Sequence, residues 1–198
     1  YRATVALGTA TDSYDAVGQV VFRLALAWIP ADQPLYVLID DTLARKTGKG
    51  ISLATMHHDP LLSSARKPFC SFGHVWVVLA LWVPLPMGGA RGFALPLLFR
   101  LYVGSKRGGT RDAPGRPRRG TRQQAAEQAH AAHSRPTKLA LAREVLALVA
   151  RWADGRTIYA VVDSAYAARP LLEARPTNLE VVSRLRPGAA LWARPGRR

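Results

Sequence analysis

Along residues 14–29 apolar side chains recur every three or four positions, with Val17, Val20, Val21, Leu24 and Trp28 on one stripe and Pro30 ending the run. That spacing is the helical period and predicts an amphipathic helix. The next run, Leu35-Tyr36-Val37-Leu38-Ile39, is short, wholly apolar and rich in β-formers. It reads as a central strand buried on both faces, ending in Asp40-Asp41-Thr42. Residues 74–83 and 93–103 are two more long apolar runs, separated by Pro84, Pro86, Gly88, Gly89 and Gly92, and predict a strand–turn–strand hairpin. In residues 137–153, Leu139, Ala142, Val145, Leu146, Val149 and Trp152 again keep the helical period, and Asp154-Gly155 supplies a stop. Residues 157–162 form another apolar strand running straight into Asp163. A short helix to Ala174, a break at Pro176 and a last strand over 179–185 complete the order. No internal repeat is visible.

Charge separates the middle of the chain from its flanks. The 198 residues carry 28 Lys+Arg against 13 Asp+Glu, a formal net charge of +15, and are 48% hydrophobic, so the chain can bury a core. Lys106-Arg107, Arg111, Arg116, Arg118, Arg119 and Arg122 crowd a Gly- and Pro-rich stretch without apolar periodicity. Such a segment cannot bury enough surface to order itself, and like-charged blocks often track nucleic acid. The expected organisation is an N-terminal helical segment, 1–34, and a core, 35–198, interrupted by a basic disordered insertion, 106–135. The single cysteine, Cys70, excludes an internal disulfide framework and reads as core filling. The most apolar run, 75–83, is too short to cross a bilayer, so no membrane span is expected. The chain starts at Tyr1 without a basic-then-apolar leader and reads as a fragment.

The chemistry lies at strand ends. An apolar strand runs directly into aspartate twice, at Asp40-Asp41 and at Asp163. If those strands are parallel neighbours, the carboxylates emerge together at the edge where open α/β sheets place ligands. Adjacent carboxylates repel unless a cation sits between them, and Mg²⁺ favours hard oxygen donors with water and phosphate. Alternation along a strand sends Asp40 and Asp41 to opposite faces, so both cannot bind one metal without a kink. Arg45, Lys46 and Lys49, beside the first acids, are candidate phosphate contacts, as are Arg116, Arg118 and Arg119 of the basic insertion. Thr47-Gly48-Lys49-Gly50 lacks the earlier glycine and the following Ser/Thr of a P-loop. His57, His58, Cys70 and His74 have no standard zinc spacing, and Tyr166 reads as a buried aromatic.

Taken together, Leu-Ile-Asp40-Asp41-Thr42-Leu-Ala-Arg-Lys46-Thr-Gly-Lys49-Gly, Met-His57-His58-Asp59-Pro60-Leu, Gly73-His74-Val-Trp-Val, Val-Val-Asp163-Ser-Ala-Tyr166 and Val-Val-Ser-Arg184-Leu-Arg186 resemble the catalytic domain of bacterial insertion-sequence transposases of the DDE type. The resemblance spans residues 35–192. It implies an α/β, ribonuclease H-like mixed sheet, three antiparallel strands then parallel strands, with flanking helices. It further implies an enzyme that cuts and joins DNA with Mg²⁺ or Mn²⁺, with DNA as partner, as a homodimer on DNA, in the bacterial cytoplasm at the nucleoid. Asp163 matches the second acid of that pattern. The first is Asp40 or Asp41, and Asp-x-Thr at that place favours Asp40, with Asp41 as its neighbour.

The third acid departs from the pattern. In the family it is a glutamate on a helix after the last strand, whereas only Glu173 and Glu180 follow Asp163 here. The expectation is a truncated catalytic core without its C-terminal helix and inactive by itself, the alternatives being a non-catalytic nucleic-acid-binding remnant or a nuclease on the same fold.

Overall fold

The computed structural model describes residues 11–48, 50–64, 66–85, 91–103 and 136–185. Their elements run α1 (Thr11–Leu26), β1 (Leu35–Arg45), β2 (Thr55–His58), β3 (Cys70–Pro84), β4 (Gly92–Tyr102), α2 (Lys138–Trp152), β5 (Ile158–Val162), α3 (Arg169–Glu173) and β6 (Leu179–Ser183). The basic insertion expected at 106–135, with Arg116, Arg118 and Arg119, and Lys49 all lie outside the described residues. The strands form one sheet in the order β2-β3-β1-β5-β6, with β4 also pairing β3. Strands β1, β5 and β6 are parallel, β2 and β3 antiparallel. This is a mixed α/β sheet with flanking helices, compatible with a ribonuclease H-like fold.

By contacts the chain gathers into two compact units, Tyr1–Asp40 with Val78–Phe99 and Ala142–Arg198, and Asp41–Val77 with Arg100–Leu141. In the first, Leu35, Val37 and Ile39 of β1 and Ile158, Ala160 and Val162 of β5 are buried, alternating with more exposed neighbours. The all-apolar β1 run is therefore packed on one face only, not both as its composition suggested: Tyr36 remains 44% exposed. Alternation, not composition, decides which side chains reach the core.

Helix α1 also differs from its pattern. Its buried residues are Phe22, Ala25 and, just past its end, Ile29, while the regular stripe of Val17, Val20 and Leu24 faces outward. Gly18 is the reason the helix sits on this side. A Cβ there would lie 2.7 Å from the Leu97 carbonyl oxygen, so the missing side chain lets α1 approach β4. Phe22 then meets Trp152 of α2 with ring centroids 5.9 Å apart.

Helix α2 starts where the sequence says, with the Thr137 hydroxyl accepting the Ala140 N–H at 3.1 Å. It buries Leu141, Ala142, Val145, Leu146 and Val149, ends at Trp152, and is followed by a turn through Gly155, whose φ of +80° suits glycine. Asn178 ties that end to β6, donating to the carbonyls of Ala150 and Arg156 at 3.1 and 3.2 Å. Tyr166 is buried, as expected.

In the second unit, Thr55–His58 is a strand that no apolar run announced, paired from Thr55↔Gly73 to His58↔Cys70. Cys70, expected in the core, is exposed, because it opens β3 at the end of that short ladder. The buried polar centre here is Asp59. Its side chain, 1% exposed, takes Arg45 Nε at 2.7 Å, Arg45 Nη2 at 3.1 Å and the Ser71 hydroxyl at 2.5 Å. These donors hold the Asp59 carboxyl far below its usual range, Arg45 contributing most.

Candidate active site

Strands β1 and β5 are paired in parallel up to Ile39↔Val162, and β5 and β6 up to Val162↔Ser183. The residues that follow these three registered positions in the chain are Asp40, Asp163 and Arg184. Because Ile39 and Val162 are buried, alternation puts Asp40 and Asp163 on the opposite, open face, and both are exposed. The same face carries Tyr36 stacked on Tyr159, with centroids 5.5 Å apart, and an apolar groove of about 320 Å³ floored by Tyr36, Leu38, Trp82 and Val161.

Asp163 is held rather than loose. One of its oxygens, Oδ1, accepts the Ser164 backbone N–H at 2.6 Å and lies 3.6 Å from Arg184 Nη2. Hydrogen bonding from the Ser164 backbone N–H first and its side chain next, and then the Arg184 guanidinium, keep its carboxyl below the ordinary range. It is thus charged at neutral pH. Arg184 was quoted in the sequence but not nominated. The strand-end rule that found Asp163 applies equally to the residue after β6.

Asp41 goes the other way. In the second unit Lys138 Nζ lies 2.6 Å from Asp41 Oδ2 and 5.5 Å from the centroid of Tyr102. His57 sits against Tyr102 and shares a 2.7 Å hydrogen bond with the Thr55 hydroxyl. Burial first, then Lys138 and His74, push the His57 pKa down. Lys138 escaped sequence reasoning because it is 97 residues from its partner.

Of the basic candidates, Arg45 is engaged by Asp59, while the Lys46 side chain is exposed and its backbone N–H bonds Phe72 O at 2.8 Å. Glu173 pairs with Arg169 at 2.7 Å and Glu180 with Arg175 at 3.3 Å. Glu180 is registered with Tyr159, four residues before Asp163, so neither glutamate joins the acid pair. Among the described residues no three His, Cys, Asp or Glu side chains cluster as a metal cage. Exposed carboxylates just past the ends of paired strands are nevertheless of the donor type that suits a hard cation keeping much of its water shell.

A family model described as DDE superfamily endonuclease matches residues 4–197. The chain belongs to this family. No curated protein and no solved structure matches it. As a DDE endonuclease it is of the phosphoryl-transferring nuclease kind, a family that acts on DNA and generally uses divalent metals. No described helix of this DDE endonuclease is long and apolar enough to cross a membrane.

Proposed function

We propose that this DDE endonuclease is the catalytic core of an insertion-sequence DNA transposase, cleaving strands at the element's ends and joining them to target DNA. The observation that supports the reading is the parallel register that pairs Ile39 with Val162, the residues just before the exposed Asp40 and Asp163. In it, Asp40 and Asp163 hold Mg²⁺ or Mn²⁺, and Asp41 is the neighbour that braces β1 from the other face. When bound, divalent metal activates the attacking oxygen and neutralises the charge that develops on the leaving one. Arg184 keeps the Asp163 carboxylate turned and ionised, and presents a cation to the incoming phosphate. Lys46, Lys49, Arg116, Arg118 and Arg119 bind the DNA backbone, giving affinity that falls steeply with salt. Two copies of the chain engage the DNA, and the protein works in the bacterial cytoplasm.

The test pairs Mn²⁺ titration with DNA binding at several salt concentrations. Asp40→Asn and Asp163→Asn are each expected to weaken Mn²⁺ binding by about tenfold or more, as loss of a metal-orienting group does, with the salt slope of DNA binding unchanged. Mn²⁺ binding indifferent to both substitutions overturns the site. Joining of a free 3′-hydroxyl end to target DNA separates a transposase from a hydrolytic nuclease.

A further inference from the structure

Between β2 and β3 the chain runs from Asp59 to Phe69 as a loop whose apolar side chains stand in water: Leu61 is 85%, Leu62 52% and Phe69 43% exposed. The loop is nonetheless fixed. The buried Asp59 carboxylate that takes Arg45 of β1 and Ser71 of β3 also accepts the backbone N–H groups of Leu61 and Leu62, at 3.1 and 3.3 Å, which ties the leucines' own backbone to the sheet. Across the loop the Ser63 hydroxyl accepts the Phe69 N–H at 2.8 Å, and the Asp59 N–H donates to the Phe69 carbonyl at 2.9 Å. Pro60 and Pro68, immediately before Leu61 and Phe69, each lock a backbone angle. Leucines on a slack loop can turn inward to escape water; these are held out.

The charge around them has one sign. Between Asp41 and Asp112 the sequence holds a single acid, Asp59, and that carboxylate is 1% exposed and paired with Arg45. Arg66 and Lys67, in the same loop, are exposed. The loop therefore offers cations and apolar side chains to its surroundings and no exposed carboxylate.

We infer that this loop is a wedge that enters duplex DNA at a base step, Leu61 and Leu62 lodging against the bared faces of the bases while Arg66 and Lys67 hold the adjoining phosphates. Charge selects a polyanion, and the leucines narrow the choice. Thymine methyl groups apart, the outside of a duplex offers phosphates and polar groove edges, so a leucine finds apolar surface there where two base pairs part. Leu and Phe are among the side chains that part base steps in this way and kink the duplex. Forcing a step open costs stacking energy, which a loop can deliver if its backbone does not yield, and the Asp59 clamp supplies that stiffness. An anionic membrane also suits a cationic, apolar loop, but the family to which this chain belongs acts on DNA.

The inference rests on the reading that the chain acts on DNA, and adds which residues deform it. Two short duplexes are compared, one perfectly paired and one with a central T·T mismatch, each carrying 2-aminopurine beside the central pair. Because a mismatched step is already loosened, the 198-residue chain is expected to bind that duplex about tenfold more tightly, and to raise 2-aminopurine fluorescence, the signal of lost stacking, in both. Leu61→Ser with Leu62→Ser should abolish the rise and make the two affinities equal, with Tm and the salt slope of binding unchanged. Leu61→Phe should keep both signals. Arg66→Gln with Lys67→Gln should weaken binding to both duplexes alike and reduce the slope of log K against log salt by about 2. A mismatch preference that survives the double serine substitution overturns the inference. So does tight binding without a fluorescence rise, or a pair of leucines that is needed for binding to phosphatidylserine vesicles and not for unstacking. In each of these cases DNA binding persists and the catalytic reading stands, whereas failure to bind any DNA at low salt sinks both.

Discussion

Lys138 closes on Asp41 at 2.6 Å, pairing the first turn of α2 with the strand that carries Asp40 one residue earlier. The two adjacent aspartates therefore differ in their surroundings. Asp41 is paired with the Lys138 ammonium, which also lies over the Tyr102 ring, while Asp40 follows Ile39, the residue registered with Val162 just before Asp163.

Because Asp41 and Lys138 remain 30% and 37% exposed, solvent screens the pair. A double-mutant cycle with Asp41→Asn and Lys138→Met should give a coupling of no more than about 1 kcal/mol. It should shrink between low and high salt. A coupling of several kcal/mol, unaffected by salt, would mean the pair is dry.

Stability should respond to pH in two separate windows. The first belongs to His57. Its folded pKa is pushed below 6.5, so between that value and the lowered one the unfolded chain binds more protons. Folding stability therefore falls as pH drops below about 6.5. His57→Gln, which can keep the Thr55 hydrogen bond, should flatten urea midpoints measured between pH 7 and 5.

The second window lies lower. Asp59 is held below its ordinary 3.8 by Arg45 and Ser71, so its contribution is complete at neutral pH and is lost as acid protonates it. Stability should drop further below about pH 4. Asp59→Asn should lower Tm at pH 7 and remove much of that acid slope. An unchanged Tm would show that the buried ion pair does not support β2 and β3.

Gly18→Ala should destabilise the protein although alanine is the better helix former. The helix gains about 1 kcal/mol of propensity, but a methyl against the rigid Leu97 carbonyl costs up to about 3 kcal/mol. The net loss of about 1–2 kcal/mol lowers Tm by roughly 3–6 °C. Calorimetry reads it directly, and a rise in Tm would show that β4 yields.

Lys46→Ala should weaken DNA binding similarly for all sequences and reduce the slope of log K against log salt by about 1. Tm should not move, because the side chain is exposed. Arg45→Ala is the contrast: it strips Asp59 of its main partner and should lower Tm.

The element order was legible because periodicity is local. The helix around Val145 and Val149, the β5 run into Asp163 and the stop at Gly155 each declare themselves within a dozen residues. Strand β2 did not, since Thr-Met-His-His has no apolar run and owes its form to pairing with β3. The same limit placed Cys70 wrongly, because burial depends on where a strand begins in its ladder.

By itself, then, the sequence determined which segments are helix or strand, that acids terminate two of the strands, and that the chain is strongly basic. The tertiary structure alone decided that β1 lies parallel to β5 in the register that pairs Ile39 with Val162, that Lys138 reaches across 97 residues to Asp41, and which residues of α1 enter the core. The reason is physical. Backbone preference and hydrophobic period act between neighbours along the chain, whereas register, ion pairing and the choice between two apolar faces are settled by contacts whose partners lie far apart in sequence.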